Sequence, residues 1–289
     1  MSEKNNKYIL VGIDGSTISG PLIKFAIWLA KSNGLTIKIL HTIEHSHQTE
    51  NPHHEGNLTP NIRRELLKEL SEEERVESKA LMATGKTLIN TAKETVNAAG
   101  IDDVVAKLRH GTLPEAIEDL KAETALIMLG SKGISHQGTE KGLGFHLEES
   151  IRATNSPVFI AQKEFTQPKK VMFIYNGSPT SKRALAMITQ DTIYKEPLEI
   201  HIVCVNSDTE LANNLIAEAK SAFAQSKNSI VTKVLTGDTI EQLTSYQKDN
   251  NIDITAMGAF SHGKLHGFFF GSFTTKMIQQ SDCNFLLIR

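Results

Sequence analysis

The residues with the clearest chemical purpose lie near the C-terminus, where Gly258-Ala-Phe-Ser261, a nine-residue gap and Gly271-Ser272 follow the apolar run Ile252-Asp-Ile-Thr-Ala-Met257. A weaker copy, Gly130-Ser-Lys-Gly133, follows Leu126-Ile-Met-Leu129. A strand that opens into a glycine-spaced loop and then a helix can cradle a phosphate. Glycines let backbone amides approach an anion closely, and the helix start favours negative charge. Asp14 and Asn176, each followed by Gly-Ser, end two further apolar runs. Their side-chain oxygens can accept hydrogen bonds from ribose-type hydroxyls.

The elements that must position these residues occur twice. Tyr8-Ile-Leu-Val-Gly-Ile-Asp14 corresponds to Val171-Met-Phe-Ile-Tyr-Asn176. A helical stretch follows each (Pro21 to Ser32; Pro179 to Gln190), then a second strand, Leu35 to Leu40 or Leu198 to Val203. A long helix and a third strand come next (Val104 to Leu108; Ile230 to Leu235). A short helix opened by His110-Gly111-Thr-Leu-Pro-Glu115 or Thr236-Gly237-Asp-Thr leads to the fourth strand and its glycine loop. The last helix of each repeat leads to an apolar strand, Pro157 to Ala161 or Asn284 to Ile288. Near-continuous apolar strands alternating with helices predict an α/β fold, a doubly wound five-stranded parallel sheet made twice. In such sheets ligands bind at the carboxyl ends of the strands where strand order reverses. The first and fourth strands would flank that crevice and bring the polar turn and the glycine loop together.

Length supports this count, since 289 residues make about two domains, which we place at 1–165 and 166–289. Neither half is basic: residues 1–165 carry 19 Lys+Arg against 22 Asp+Glu, and residues 166–289 carry 12 against 11. This argues against a nucleic-acid partner. No stretch approaches the roughly 18 apolar residues of a membrane span, and the polar N-terminus has no apolar signal core. The expected location is the cytoplasm, with Cys204 and Cys283 reduced and structural. The first repeat also carries an insertion at about 43–80, because 116 residues separate Asp14 from Gly130 but only 82 separate Asn176 from Gly258. The insertion reads as a loop and a charged helix, either solvated on its own domain or serving as a lid or dimer contact.

These motifs resemble the universal stress protein family, as a tandem two-domain member covering nearly the whole chain. The carrying residues are the Asp14-Gly-Ser and Asn176-Gly-Ser turns, the Gly111 and Gly237 turns and the two glycine loops. The resemblance implies a Rossmann-like, adenine nucleotide alpha hydrolase-like fold that binds ATP in some members, with Mg²⁺, at Gly-x-x-Gly, nine residues, Gly-Ser/Thr. Asn176, Gly258, Ser261, Gly271 and Ser272 would form this site in the second domain, and Asp14, Gly130, Gly133 and Gly144 in the first. The chain departs from the pattern in both. Ser261 replaces a glycine, at a cost of about 1 kcal/mol if the loop needs left-handed angles, and Asn176 lacks the charge of an acid. In the first domain Gly144 follows after ten residues instead of nine and precedes Phe145-His146, which offer no hydroxyl.

Three functions fit these residues: an ATP-binding stress-response or signalling module, an interaction scaffold with vestigial pockets or another ligand, and a slow ATPase or autophosphorylating protein. No triad or paired-carboxylate site supports robust catalysis. The resemblance also implies that last strands pair, here within the chain as a pseudo-dimer, and two chains would form a homodimer. Each motif has a plainer reading. Asp14-Gly15 and Asn176-Gly177 are ordinary strand-to-helix turns with Ser16 or Ser178 as caps, and Gly258 and Gly271 suit close packing. Gly85-Lys86-Thr87 mimics a P-loop but lies within a helical stretch. His45, His47, His53 and His54 have the composition of a metal site yet read as a solvated loop, and His262 and His266 read either as phosphate contacts or, more plainly, as exposed loop residues. Trp28 and Phe268-Phe269-Phe270 read as packing in preference to a base-stacking platform.

Overall fold

The computed structural model describes residues 7–44, 60–131, 145–189, 196–259 and 272–289, with the side chains of 60–74 and 145–146 left outside that description. The first repeat runs β1 (Tyr8–Gly12), α1 (Ser19–Asn33), β2 (Thr36–Ile43), α2 (Pro60–Ala98), β3 (Val104–His110), α3 (Leu113–Leu120), β4 (Thr124–Gly130), α4 (Phe145–Arg152) and β5 (Val158–Ala161). The second runs β6 (Lys170–Ile174), α5 (Pro179–Ile188), β7 (Glu199–Val205), α6 (Thr209–Ala222), β8 (Ser229–Leu235), α7 (Thr239–Asp249), β9 (Ile254–Gly258), α8 (Ser272–Gln280) and β10 (Asn284–Ile288). Local signals account for several boundaries. Thr112 and Glu115 form a reciprocal capping box ahead of Pro114 at the start of α3, and Gly34 ends α1 in the left-handed conformation.

Among the described residues, ten strands join one sheet in the order β3-β2-β1-β4-β5-β10-β9-β6-β7-β8. Each repeat contributes five parallel strands, and the repeats meet where β10 pairs antiparallel with β5 through Phe285↔Ile160, Leu286↔Phe159 and Leu287↔Val158. Alternate residues of these two strands feed opposite faces. Phe159 and Leu286 enter the cluster under α1, α2, α5 and α6, while Val158, Ile160, Phe285 and Leu287 enter the one under α3, α4, α7 and α8. Each layer of the core therefore runs unbroken across both repeats. The outer edges β3 and β8 carry Lys107 and Lys233 at equivalent register positions, a charge that discourages edge-to-edge pairing.

Hydrogen bonds close the seam at both ends. The Gln162 carboxamide, just past β5, donates to the carbonyls of Ile278 (3.2 Å), Ser281 (3.1 Å) and Cys283 (2.8 Å) at the end of α8. Arg289, just past β10, donates to the carbonyls of Arg152 and Thr154 at the end of α4. Each repeat thus satisfies the orphan carbonyls of the other's last helix, and a cation suits that helix end. Gln162→Leu is expected to lower stability by about 1–3 kcal/mol, the cost of leaving buried acceptors unpaired. Amide exchange should quicken in α8, in the domain that does not contain the substitution.

Candidate functional site

Within each repeat the strand order reverses between the first and fourth strands. β1 pairs with β4 and β6 pairs with β9, so Asp14 and Gly130 end at one crevice and Asn176 and Gly258 at another. Because β5 and β10 are antiparallel, the two crevices open on opposite edges of the sheet. Gly133, Gly144, Ser261 and Gly271 lie outside the described residues, as do His45, His47, His53, His54, His262, His266 and Phe268–Phe270. Among the described residues no cluster of three His, Cys, Asp or Glu side chains is arranged to hold a metal.

The second-domain turn is tightly built. Asn176 Oδ1 accepts from the Ser178 amide at 3.1 Å, and Gly177 adopts φ 73°, the left-handed conformation that glycine takes without strain. Ser178 then caps α5, its Oγ accepting from the Ser181 amide at 3.2 Å. Asn176 keeps a second lone pair for a ligand hydroxyl. Across the crevice, a Cβ on Gly258 would lie 2.6 Å from the Thr180 carbonyl carbon and 2.7 Å from the Ser181 amide nitrogen. This glycine allows β9 to meet the first turn of α5 backbone to backbone. α8 begins with Ser272 on the same edge, and the Ser272 side chain is exposed. A hydroxyl at the first turn of a helix is suited to an anion.

The first-domain turn is looser. Asp14 Oδ1 accepts from the Ser16 amide at 2.9 Å and from Ser19 Oγ at 3.2 Å, and Gly15 adopts φ 84°. The capping expectation holds for Ser178 but fails for Ser16. α1 starts five residues after Asp14, its N-cap is Ile18 with no side-chain cap, and the Ser16 hydroxyl is buried without a partner among the described residues. On the fourth strand Ser131 is buried, and its amide extends the β4–β5 ladder to the Ala161 carbonyl at 2.9 Å.

Beside Asn176, Tyr175 is fully buried, and burial together with neighbouring Glu218 pushes its phenol up to about 12. It stays neutral and offers no nucleophile. Burial also pushes the Cys283 thiol up to about 11, which leaves it unreactive. Gly85 of the P-loop mimic lies inside α2, where a Cβ would meet Leu108 at 2.8 Å and His41 at 2.9 Å. It is a packing glycine.

Two polar clusters escaped the motif reading, although an ionisable residue stands at the same position of each second strand. Buried Lys38 pairs with Glu123 at 3.3 Å and lies 3.4 Å from the centre of the Tyr8 ring, whose hydroxyl donates to Glu123 at 2.6 Å. Its counterpart His201 contacts Glu199 at 2.7 Å and Tyr246 at 2.8 Å. Both clusters sit toward the amino ends of the strands, away from the crevice of their own domain, and pair groups that burial would otherwise leave unsatisfied.

The model of the Universal stress protein family matches residues 5–162 and again 168–289. A universal stress protein of Synechocystis sp. is 30% identical over 288 residues, covering 98% of this chain and 100% of that protein. Among solved structures, a universal stress protein of Archaeoglobus fulgidus superposes with a TM-score of 0.70 at 16% identity, covering 98% of this chain and 96% of its own. A functionally unknown protein of Pseudomonas aeruginosa gives 0.59 at 14%, covering 98% and 92%. At these identities the two structures bear on the fold alone.

Gly258→Ala should cost about 1–3 kcal/mol of stability, as overpacking against fixed backbone does. Urea unfolding in the absence of nucleotide is the check, and an unchanged midpoint would refute the packing role.

Proposed function

Because the chain belongs to the universal stress protein family, we propose that it is a cytoplasmic stress-response module that binds ATP with Mg²⁺ in its second-domain crevice. The observation that carries this reading is that β6 and β9 end side by side. Asn176 and Gly258 therefore share one crevice, and Ser272 opens α8 on the same edge. Asn176 would accept from a ribose hydroxyl, the loop amides from Gly258 onward would take the phosphates, and the Ser272 hydroxyl would reach their far end. Mg²⁺ would neutralise part of the phosphate charge. The first-domain crevice is the weaker candidate, because its ten-residue spacing ends in Phe145.

A second reading, an interaction scaffold whose pockets have lost their ligand, draws on a specific observation. Gly258 is required by its contact with α5 and Asn176 by its own turn, so both residues are accounted for without a nucleotide. Calorimetric titration with MgATP, together with mass spectrometry of any ligand released on denaturation, separates the two. The nucleotide reading expects wild-type binding, none in Gly271→Trp, and roughly 10-fold weaker binding in Ser272→Ala from the loss of about 1.5 kcal/mol in a hydrogen bond to a charged group. If Ser272→Ala also loses phosphate release, the module turns ATP over slowly. An empty protein indifferent to millimolar ATP would leave the scaffold.

A further inference from the structure

The last helix of each repeat starts at its own crevice and ends on the other repeat. α8 runs from Ser272 to Gln280, about 13 Å at 1.5 Å per residue, and so crosses from the carboxyl edge of the second domain to its amino edge. There the first repeat takes hold of it. Of the three carbonyls that the Gln162 carboxamide bonds, that of Ile278 lies within α8 itself. Gln162 is fixed in turn, because its backbone amide donates to Asn284 Oδ1 at 3.0 Å and the Asn284 carboxamide donates to the Asp253 carbonyl at 3.2 Å. Within the second repeat, Ser281 Oγ donates to Gln247 of α7 at 2.8 Å. The end of α8 is thus clamped from both repeats.

A second crossing links each clamp to the other crevice. Ser131, the first residue past β4, donates its amide to the Ala161 carbonyl at 2.9 Å, immediately before Gln162. Ala259, the first past β9, donates to the Ile288 carbonyl at 2.8 Å, immediately before Arg289. The strand end that anchors one glycine loop therefore carries the residue that holds the helix opening the other crevice. α8 is seated by Thr274, Met277 and Ile278, its buried residues, and exposed Ser272 lies beyond that seat. A helix moves as a unit, since its hydrogen bonds run along its axis. Release at the Gln162 end would swing the Ser272 end about the seat.

We infer that Gln162 is a positioning residue for the second-domain crevice, which is complete only with the first repeat in place. Through α8 it sets where the Ser272 hydroxyl stands. Its effect on ligand binding rests on the nucleotide reading of that crevice, and its effect on the helix does not. Amide exchange and MgATP calorimetry on the full chain test it with Gln162→Leu, and with Gln162→Glu, which is equal in size but has no donor when ionised. The control is Ile39→Val, a core truncation in β2, three strands from β5 in the sheet. In an α-helix the Lys276 and Met277 amides bond back to Ser272 and Phe273. Both Gln162 variants should quicken exchange at these two amides and weaken MgATP binding about 10-fold, as coupling through packed elements does, while Ile39→Val leaves the affinity unchanged. Faster exchange confined to the last turn would make Gln162 a helix cap alone and overturn the inference. So would an unchanged affinity in the Gln162 variants of a protein that binds MgATP, or an equal loss in Ile39→Val. A wild type indifferent to millimolar MgATP would sink the nucleotide reading instead, and exchange at Lys276 and Met277 would then decide the positioning role by itself.

Discussion

The structure depends on the pairing of two apolar edge strands with each other. β5 and β10 are wholly buried, and an exposed strand with that composition would recruit another chain. Their antiparallel pairing removes two edges at once and joins two half-sheets into one. It also places the end of each repeat beside the last helix of the other, where Gln162 and Arg289 complete hydrogen bonds that a lone repeat would leave to water. The result is one sheet with two cores, each continuous across the seam.

That geometry has consequences for the crevices. Parallel strands within a repeat put the ligand edge at the carboxyl ends, and the antiparallel seam turns the second repeat over. The two crevices therefore face away from each other, and a single small ligand cannot bridge them. The insertion adds a further asymmetry, because α2 has 39 residues and its counterpart α6 has 14. The repeats share an ancestry of form but present different surfaces.

Equivalent positions diverged according to what surrounds them. Lys38 and His201 occupy the same place in their strands, yet one is paired with Glu123 from across the sheet and the other hydrogen-bonds Glu199 on its own strand. Asp14 and Asn176 both make Asx turns, but the shorter second turn lets Ser178 cap α5 while the longer first turn leaves the Ser16 hydroxyl buried. Hydrogen-bond satisfaction is local, and an added residue or two in a turn changes which group must be supplied with a partner.

Most of the fold was legible in the sequence, because strand runs such as Val171 to Ile174 and turn residues such as Gly177 carry their backbone preferences locally. The repeat was legible for the same reason, since identical local constraints recur in the same order. Strand alternation with helices also specified where the crevices would lie, down to Asp14, Asn176, Gly130 and Gly258. What the sequence could not decide was which plain role each such residue serves. That Gly258 meets α5, that Gly85 meets His41, and that Ser16 has no helix to cap are facts of distance between segments far apart in the chain. Only tertiary packing sets those distances, because it alone determines which backbone stands within 3 Å of a missing Cβ and which polar atom is left without a neighbour.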